Sequence, residues 1–279
     1  MLLQDKVENF KGSIIQHGHL NDRIYLMQLS SLSTTTLPYD LIHLAESKKY
    51  SKIFAKIPEK DLKIFLSAGF LEEAMVPGFF SGYEKAIFMG WYLNPGRSKE
   101  SNIDNMENIL RVALKKRETH ISCLENRFVL RKCTMTDVSS MVKVYREVFP
   151  SYPFPIHDPD YLLKTMQDHF NYFGVEIDGK LVAISSTEID PNTTSAEMTD
   201  FATLPGFRGN NFAYHLLALM EDEIRKENIK TVYTIARSLS LGMNITFSKS
   251  GYQFGGRLKN NTNISGRIES MNVWYKSFK

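Results

Sequence analysis

The chain has 279 residues with 23% charged side chains and a formal net charge of +3, a length that favours two units, each able to bury its own core. Acids and bases interleave, as in Lys115-Lys-Arg-Glu118, which reads as the solvated face of a helix, so no basic stripe marks a nucleic-acid partner. Only two cysteines occur, Cys123 and Cys133, without ligand spacing, which argues against a disulfide framework or a zinc site and fits a reducing compartment. A charge break in Met1-Leu-Leu-Gln-Asp-Lys6 precedes any apolar run, and no uncharged apolar stretch is long enough to span a bilayer. The expectation is therefore a cytoplasmic protein with no membrane partner.

In chain order, hairpin strands fall at about Gly12–Gln16 and Arg23–Leu29, then a helix at Asp40–Lys48, a strand at Ser51–Ile57 and a helix at Glu59–Ser67. After Gly69-Phe70, strands continue to Leu93. His17-Gly-His19 has suggestive spacing, but an isolated pair reads as a hairpin turn, and no metal site is expected. The polar run Asn94-Pro-Gly-Arg-Ser-Lys-Glu-Ser-Asn102 marks a boundary, and Ile103–Lys116 carries a helical apolar face that bridges two units. The division is 1–100, a linker helix at 101–126, and 127–279.

The second unit reads as strand Arg127–Cys133, helix Asp137–Phe149, a proline-rich loop Pro150–Pro159 and helix Asp160–His169. Strands Tyr172–Ile177, Lys180–Ile189 and Ala196–Thr203 follow. Asp178-Gly179 supplies the positive φ of a tight hairpin between the first two of these strands. Next comes Phe201-Ala-Thr-Leu-Pro-Gly-Phe-Arg208-Gly209-Asn-Asn-Phe-Ala213 and the helical run from Tyr214 to Ile224. A strand enters a Pro/Gly turn, and unpaired backbone N–H groups at the helix start converge on one point. The helix dipole and Arg208 add positive potential there, so the point suits a pyrophosphate. Strand Thr231–Ala236, helix Ser240–Lys249 and Ser250-Gly251-Tyr252 complete the order.

That order, strand, Arg/Gly loop, helix, strand, helix, Gly-aromatic, resembles the GNAT family of acyl-CoA-dependent N-acetyltransferases over about residues 127–279. The resemblance implies an α/β fold with a mixed α+β sheet, and acetyl-CoA as acyl donor. It places the pyrophosphate on the amides of Phe207, Arg208, Gly209, Asn210, Asn211, Phe212 and Ala213. Asn211 stands where the family usually has a second Gly, and Asn tolerates the left-handed backbone. Ser67-Ala-Gly-Phe70 after helix, strand and helix mirrors Lys249-Ser-Gly-Tyr252, which suggests that the smaller N-terminal unit is a degenerate GNAT half. Lacking the Arg-Gly loop, it should bind no CoA and serve as a structural or dimerising half, which leaves a homodimer open.

The phrases Gln16-His-Gly-His-Leu-Asn-Asp-Arg-Ile-Tyr-Leu-Met27, Lys52-Ile-Phe-Ala-Lys-Ile-Pro58, Met198-Thr-Asp-Phe-Ala202, Gly242-Met-Asn-Ile-Thr-Phe247 and Asn260–Tyr275 are similar to those of the β-lysine N-acetyltransferases. The implied activity is acetylation of the terminal amine of β-lysine, a small-molecule partner, giving the compatible solute Nε-acetyl-β-lysine used in osmoadaptation. Acetylation of another small diamine or amino acid, or a CoA-sensing module without catalysis, are the alternatives.

Such chemistry needs a carboxylate to take a proton from an amine of pKa about 10.4. Candidates are Glu188, Glu197 and Asp200, with Glu197 favoured. Glu197 and Asp200 are three apart, hence on opposite faces of a regular strand unless a bulge intervenes. Family members often splay this strand, and a backbone N–H around Phe201, Ala202 and Thr203 would polarise the thioester carbonyl. Tyr152 and Phe154 resemble walls of a substrate lid. Phe247 stands where many relatives have a Tyr that protonates the leaving thiolate. Ser240 and Asn244 lie one turn apart and would hydrogen-bond the pantetheine or a substrate carboxylate, with capping as the alternative. Arg267 and Glu269 share a strand face and would read the acceptor's carboxylate and β-ammonium, with a mutual salt bridge as the alternative. Asn260–Asn263 reads as a turn.

Overall fold

The structure is a computed structural model that describes residues 4–30, 35–116 and 123–278. The first half runs β1 (Lys6–Phe10), β2 (Ser13–Gly18), β3 (Arg23–Gln28), α1 (Leu37–Lys48), β4 (Lys52–Pro58), α2 (Leu62–Ser67), β5 (Leu71–Phe80) and β6 (Glu84–Tyr92). Helix α3 (Ile103–Lys115) leads to β7 (Val129–Lys132), α4 (Val138–Val148), α5 (Pro159–Gln167), β8 (Phe170–Ile177), β9 (Lys180–Asp190) and β10 (Ser195–Thr203). Then follow α6 (Phe212–Arg225), β11 (Thr231–Arg237), α7 (Leu241–Lys249), β12 (Gln253–Ile264) and β13 (Arg267–Ser277). Positions 117 and 118 of the mixed-charge run, and Met1 to Leu3, lie outside the described residues. No helix among the described residues is long and apolar enough to cross a membrane.

The strands of the described residues join into one mixed sheet in the order β1-β2-β3-β4-β6-β5-β12-β13-β11-β10-β9-β8-β7. The two halves share a connectivity. In each, a parallel pair is joined by a helix (β3 with β4, β10 with β11), and a closing hairpin places its second strand beside the pair (β6 on β4, β13 on β11). β1 was not expected from sequence; it is a short, mostly exposed strand of alternating charge and apolar residues at the sheet edge.

The halves meet where β5 pairs with β12 at Ala74 and Gly256. The backbones approach so closely that a Cβ on Gly256 would sit 2.3 Å from the Glu73 carbonyl oxygen, and one on Gly255 2.4 Å from that of Met75. Only glycine fits such a contact.

One apolar cluster includes Tyr25, Phe54 and Phe88 of the first half with Tyr145, Tyr233 and Leu258 of the second, while separate clusters fill each half. Helix α3 buries Met106, Ile109, Leu110 and Ala113, the last two in the second half's cluster. The boundary run is pinned rather than loose: Arg97 donates to the Asn260 carbonyl at 2.7 Å and to Asn21 O at 2.8 Å, and pairs with Asp22 at 3.2 Å.

Two turn expectations are corrected. Asn260–Asn263 lies inside β12, whose ladder with β13 breaks between Leu258 and Thr262 around Asn260 at φ 41°. The freed amides clasp the first half: Asn260 Nδ2 donates to Arg97 O at 2.8 Å, Asn263 Nδ2 to Leu20 O at 2.9 Å, and Asn263 N to Asn21 Oδ1 at 2.7 Å. His17 belongs to β2, its ring between Glu8 at 2.8 Å and the Tyr50 hydroxyl at 3.0 Å, while His19 lies in the hairpin turn as expected.

Candidate active site

β10 and β11 pair only over Ser195–Glu197 and Thr231–Tyr233. Beyond that point the strands part, and a cavity of about 970 Å³ opens between them. Here the register of β10 on β9 shifts between Thr199 and Ala202, with Asp200 at φ 56°. This bulge answers the question of faces, since both Glu197 and Asp200 line the cavity although they are three residues apart.

One wall is the turn entering α6. Pro205–Phe207 forms a 3₁₀ turn, Gly209 takes φ 87°, and Asn211, the N-cap, takes φ 57° and ψ 23°. Asn therefore adopts the left-handed conformation expected of it in place of glycine. Among the described residues, no protein acceptor receives the amides of Gly209, Asn210, Asn211, Phe212 and Ala213. Asn210 Nδ2 braces the turn through Phe207 O at 2.9 Å, and buried Phe212 packs edge-on against Phe128 at 4.8 Å. Arg208 is exposed, and its Nε reaches Thr203 O at only 3.4 Å. Free amides, the dipole of a 14-residue helix and an exposed cation form an anion cradle that suits a pyrophosphate. Phe207 to Ala213, Thr203, Ser240 and Phe247 all line the cavity.

The acids lie in the middle. Glu197 and Glu188 face each other across β10 and β9. Burial, with the opposed Glu188 charge, pushes Glu197 up to about 8, partly offset by Lys56. Burial also raises Glu188. Asp200 is raised by burial too, but its two oxygens are taken by Tyr152 Oη at 2.5 Å and Ser186 Oγ at 2.6 Å. Both Asp200 oxygens are thereby committed, whereas Glu197, within hydrogen-bond reach of Tyr233, and Glu188 line the open space. Tyr152 and Phe154 form the facing wall as expected, on a segment fixed by Gln16 Nε2 donating to Pro153 O at 2.8 Å.

Four expected site residues fall outside the cavity lining: Ala202, Asn244, Arg267 and Glu269. Ala202 returns to the core after the bulge. Asn244 is consumed structurally: its Nδ2 donates to Arg237 O and Ser240 O at 3.0 and 2.8 Å. Its Oδ1 accepts from Asn272 and Trp274 at 2.8 and 3.0 Å. Glu269 accepts from Arg237 at 2.6 Å and from Arg267 at 2.8 Å, and Arg267 is 60% exposed, so the mutual salt bridge is the arrangement found. Phe247, 0% exposed, packs edge-on against Phe201 and Tyr252 at 5.6 and 5.1 Å.

Sequence reasoning missed the wall supplied by the first half. Arg23, Tyr25 and Met27 of β3 and Phe54 and Lys56 of β4 line the same cavity. Their alternation is the two-residue period of a strand face, a signal legible in the sequence, although the lack of an Arg-Gly loop suggests only a structural or dimerising half.

The description "Acetyltransferase (GNAT) family" matches residues 139–243. The chain is 38% identical over 272 residues to a beta-lysine N(6)-acetyltransferase of Methanococcus maripaludis, covering 98% of each chain. It is 31% identical to the N-acetyltransferase YodP of Bacillus subtilis, covering 95% of each. It is 30% identical to a beta-lysine N(6)-acetyltransferase of Methanosarcina mazei, covering 83% of this chain and 93% of that one. With a cradle for a pyrophosphate beside paired carboxylates in a splayed sheet, and relatives matched along nearly their full length, this chain belongs to the GNAT acetyltransferase family, alongside the β-lysine N(6)-acetyltransferases.

Proposed function

We propose that the protein transfers acetyl from acetyl-CoA to the terminal amine of β-lysine, giving Nε-acetyl-β-lysine, a compatible solute for osmoadaptation. The geometric observation that supports amine acetylation is the glutamate pair Glu188 and Glu197 facing a cavity that ends on the free amides of Gly209–Ala213. The choice of amine rests on the relative that is 38% identical over 98% of the chain.

Acetyl-CoA supplies a thioester whose carbonyl carbon the neutral amine attacks, with the C–S bond breaking to release the thiolate. The amides of Gly209–Ala213 and the Arg208 side chain hold the donor's pyrophosphate, those of Phe207 and Arg208 being spent inside the turn on Leu204 O at 2.9 Å and Pro205 O at 3.4 Å, and Ser240 lies where it can reach the pantetheine arm. Glu197 accepts the ammonium proton, directly or through water. Glu188 keeps Glu197 basic through like charge and attracts the cation. Tyr152 and Ser186 hold Asp200 at the bulge, so that a backbone N–H of Phe201 or Thr203, both in the cavity wall, faces the developing oxyanion. Position 247 carries no hydroxyl, and a thiol of pKa about 8.5 departs as thiolate. A cytoplasmic setting and a homodimer are further parts of the reading; light scattering on the purified chain checks the latter.

Thiol release from acetyl-CoA across β-lysine, α-lysine, ornithine and spermidine tests the reading. Preferred turnover of β-lysine is expected. Turnover of polyamines alone would remove β-lysine, and none on any amine would favour a CoA-binding module.

A further inference from the structure

β3 carries Arg23 to the cavity wall with its side chain 3% exposed. One guanidinium nitrogen, Nη1, donates to the Asn261 carbonyl and, at 3.0 Å, to Thr262 Oγ1, both on β12 of the second half. Nε is buried and has no hydrogen-bond partner. The guanidinium carbon sits 5.4 Å from the Tyr25 ring centroid and 5.6 Å from that of Phe54.

No carboxylate among the described residues pairs with Arg23. Asp5 is committed to Leu20 N, Asn21 N and Asn21 Nδ2 at 3.0, 3.2 and 2.6 Å, and Arg97 takes Asp22. The contrast with the next strand is direct. Lys52 is in register with Arg23, equally buried, and has Glu73 at 2.8 Å. The fold thus supplies a counter-ion to one buried cation and withholds it from its neighbour, a costly arrangement unless a ligand brings the charge. Beside Arg23, Asn261 also lines the cavity, 1% exposed, and its Oδ1 is buried without a partner. The two residues meet through the Nη1 bond to the Asn261 carbonyl, and each keeps a side-chain polar atom without a partner.

We propose that Arg23 and Asn261, one from each half, read the zwitterionic end of the acceptor: the Arg23 guanidinium binds its carboxylate and the Asn261 side-chain amide receives its β-ammonium. Tyr25 is close enough to interact with Arg23 and with both glutamates. Six bonds part the carboxylate carbon of β-lysine from its terminal nitrogen, about 7 Å when extended at the reach of a backbone chain. The first half is therefore a specificity wall, and the discrimination a diamine site lacks comes from a segment outside the acetyl-transfer machinery. The assignment rests on the proposed acetylation of an amino-acid acceptor.

The test compares β-lysine with β-lysinamide, which keeps both amines and loses the negative charge, on wild type, Arg23→Lys and Arg23→Gln. Wild type should favour β-lysine by about 100-fold in kcat/KM, since an unpaired buried guanidinium is left opposite the amide. Arg23→Gln should erase the preference, and Arg23→Lys, which keeps the charge but not the planar fork, should reduce it about 10-fold. In both variants the readout is the ratio of kcat/KM for the two compounds, which mere destabilisation, lowering both alike, would leave unchanged. If Arg23→Gln fails to fold, Arg23→Lys alone decides. An undiminished preference in Arg23→Lys overturns the role of Arg23 while the acceptor reading stands; a wild type that acetylates neither compound overturns both.

Discussion

Replacing Glu188 with Gln should move the pH dependence of catalysis without removing catalysis. Glu197 is raised from 4.5 to about 8, by burial and then by the opposed Glu188, so its base-competent carboxylate fills in as pH rises through about 8. Directly paired cross-strand residues have Cβ atoms about 5 Å apart, which puts the carboxyl groups at about 6 Å. At that distance, with an effective dielectric of about 20, like charges repel by about 2.8 kcal/mol, equivalent to about two pKa units. Because Lys56 offsets part of this repulsion, a fall of about 1–2 in the midpoint is the expected scale. Initial rates of thioester loss at saturating acetyl-CoA, across the neutral to alkaline range, give kcat/KM for β-lysine. Wild type should rise with a midpoint near 8; in Glu188→Gln the midpoint should fall by that amount. Glu197→Gln should lose this limb and about 10²- to 10⁴-fold of the rate, leaving only the rise set by the free amine near about 10.4. An unmoved midpoint in Glu188→Gln, or a limb surviving in Glu197→Gln, would refute the assignment of Glu197 as base.

Other outcomes follow from the same geometry. Arg208→Glu should weaken acetyl-CoA binding by calorimetry at least about tenfold with Tm unchanged, because Arg208 is exposed and holds only a 3.4 Å contact; equal affinity would move the pyrophosphate elsewhere. Phe247→Tyr should cost about 1–3 kcal/mol by denaturant unfolding, since the new hydroxyl enters an aromatic cluster, and it should not raise the rate; a faster enzyme would show that thiolate protonation is limiting. Arg267→Lys should leave kcat/KM for β-lysine and for diamines alike, because Arg267 is engaged with Glu269 outside the cavity; a loss confined to β-lysine would restore it as a carboxylate clamp. For stability, a carboxyl whose folded pKa is raised has its favourable contribution in full below about 4.5 and loses it as pH rises through about 8. Glu197→Gln should therefore gain in Tm over wild type between acid and alkaline buffers, and a constant difference would contradict the buried placement.

What the sequence disclosed was local. Asp178-Gly179 sits in its hairpin at φ 49° and 75°, and Asn211 takes the left-handed N-cap its side chain tolerates, because both conformations are set by the residues themselves. The anion cradle was legible for the same reason: it is built from consecutive amides. The acceptor side was not, because its pieces meet only in the folded chain. The bulge that turns Asp200 into the cavity was left open by spacing alone. Asn260–Asn263 has turn composition, yet partners from Asn21, Leu20 and Arg97 draw it into a strand interface. Arg23 looked like one more strand residue, and its significance lies in a counter-ion that the fold does not bring. Arg267 and Glu269 were placed correctly on one strand face, but that face closes on itself through Arg237.

The most direct measurement is the structure of the product. β-Lysine incubated with the purified protein and acetyl-CoA, then analysed by tandem mass spectrometry and NMR, reports which nitrogen carries the acetyl group. With the carboxylate and β-ammonium held at Arg23 and Asn261 and the terminal amine delivered to Glu197, the expected result is a single product acetylated at the terminal nitrogen. Acetyl on the β-nitrogen, or unmodified β-lysine from a protein that acetylates polyamines in the same buffer, would contradict the proposed function.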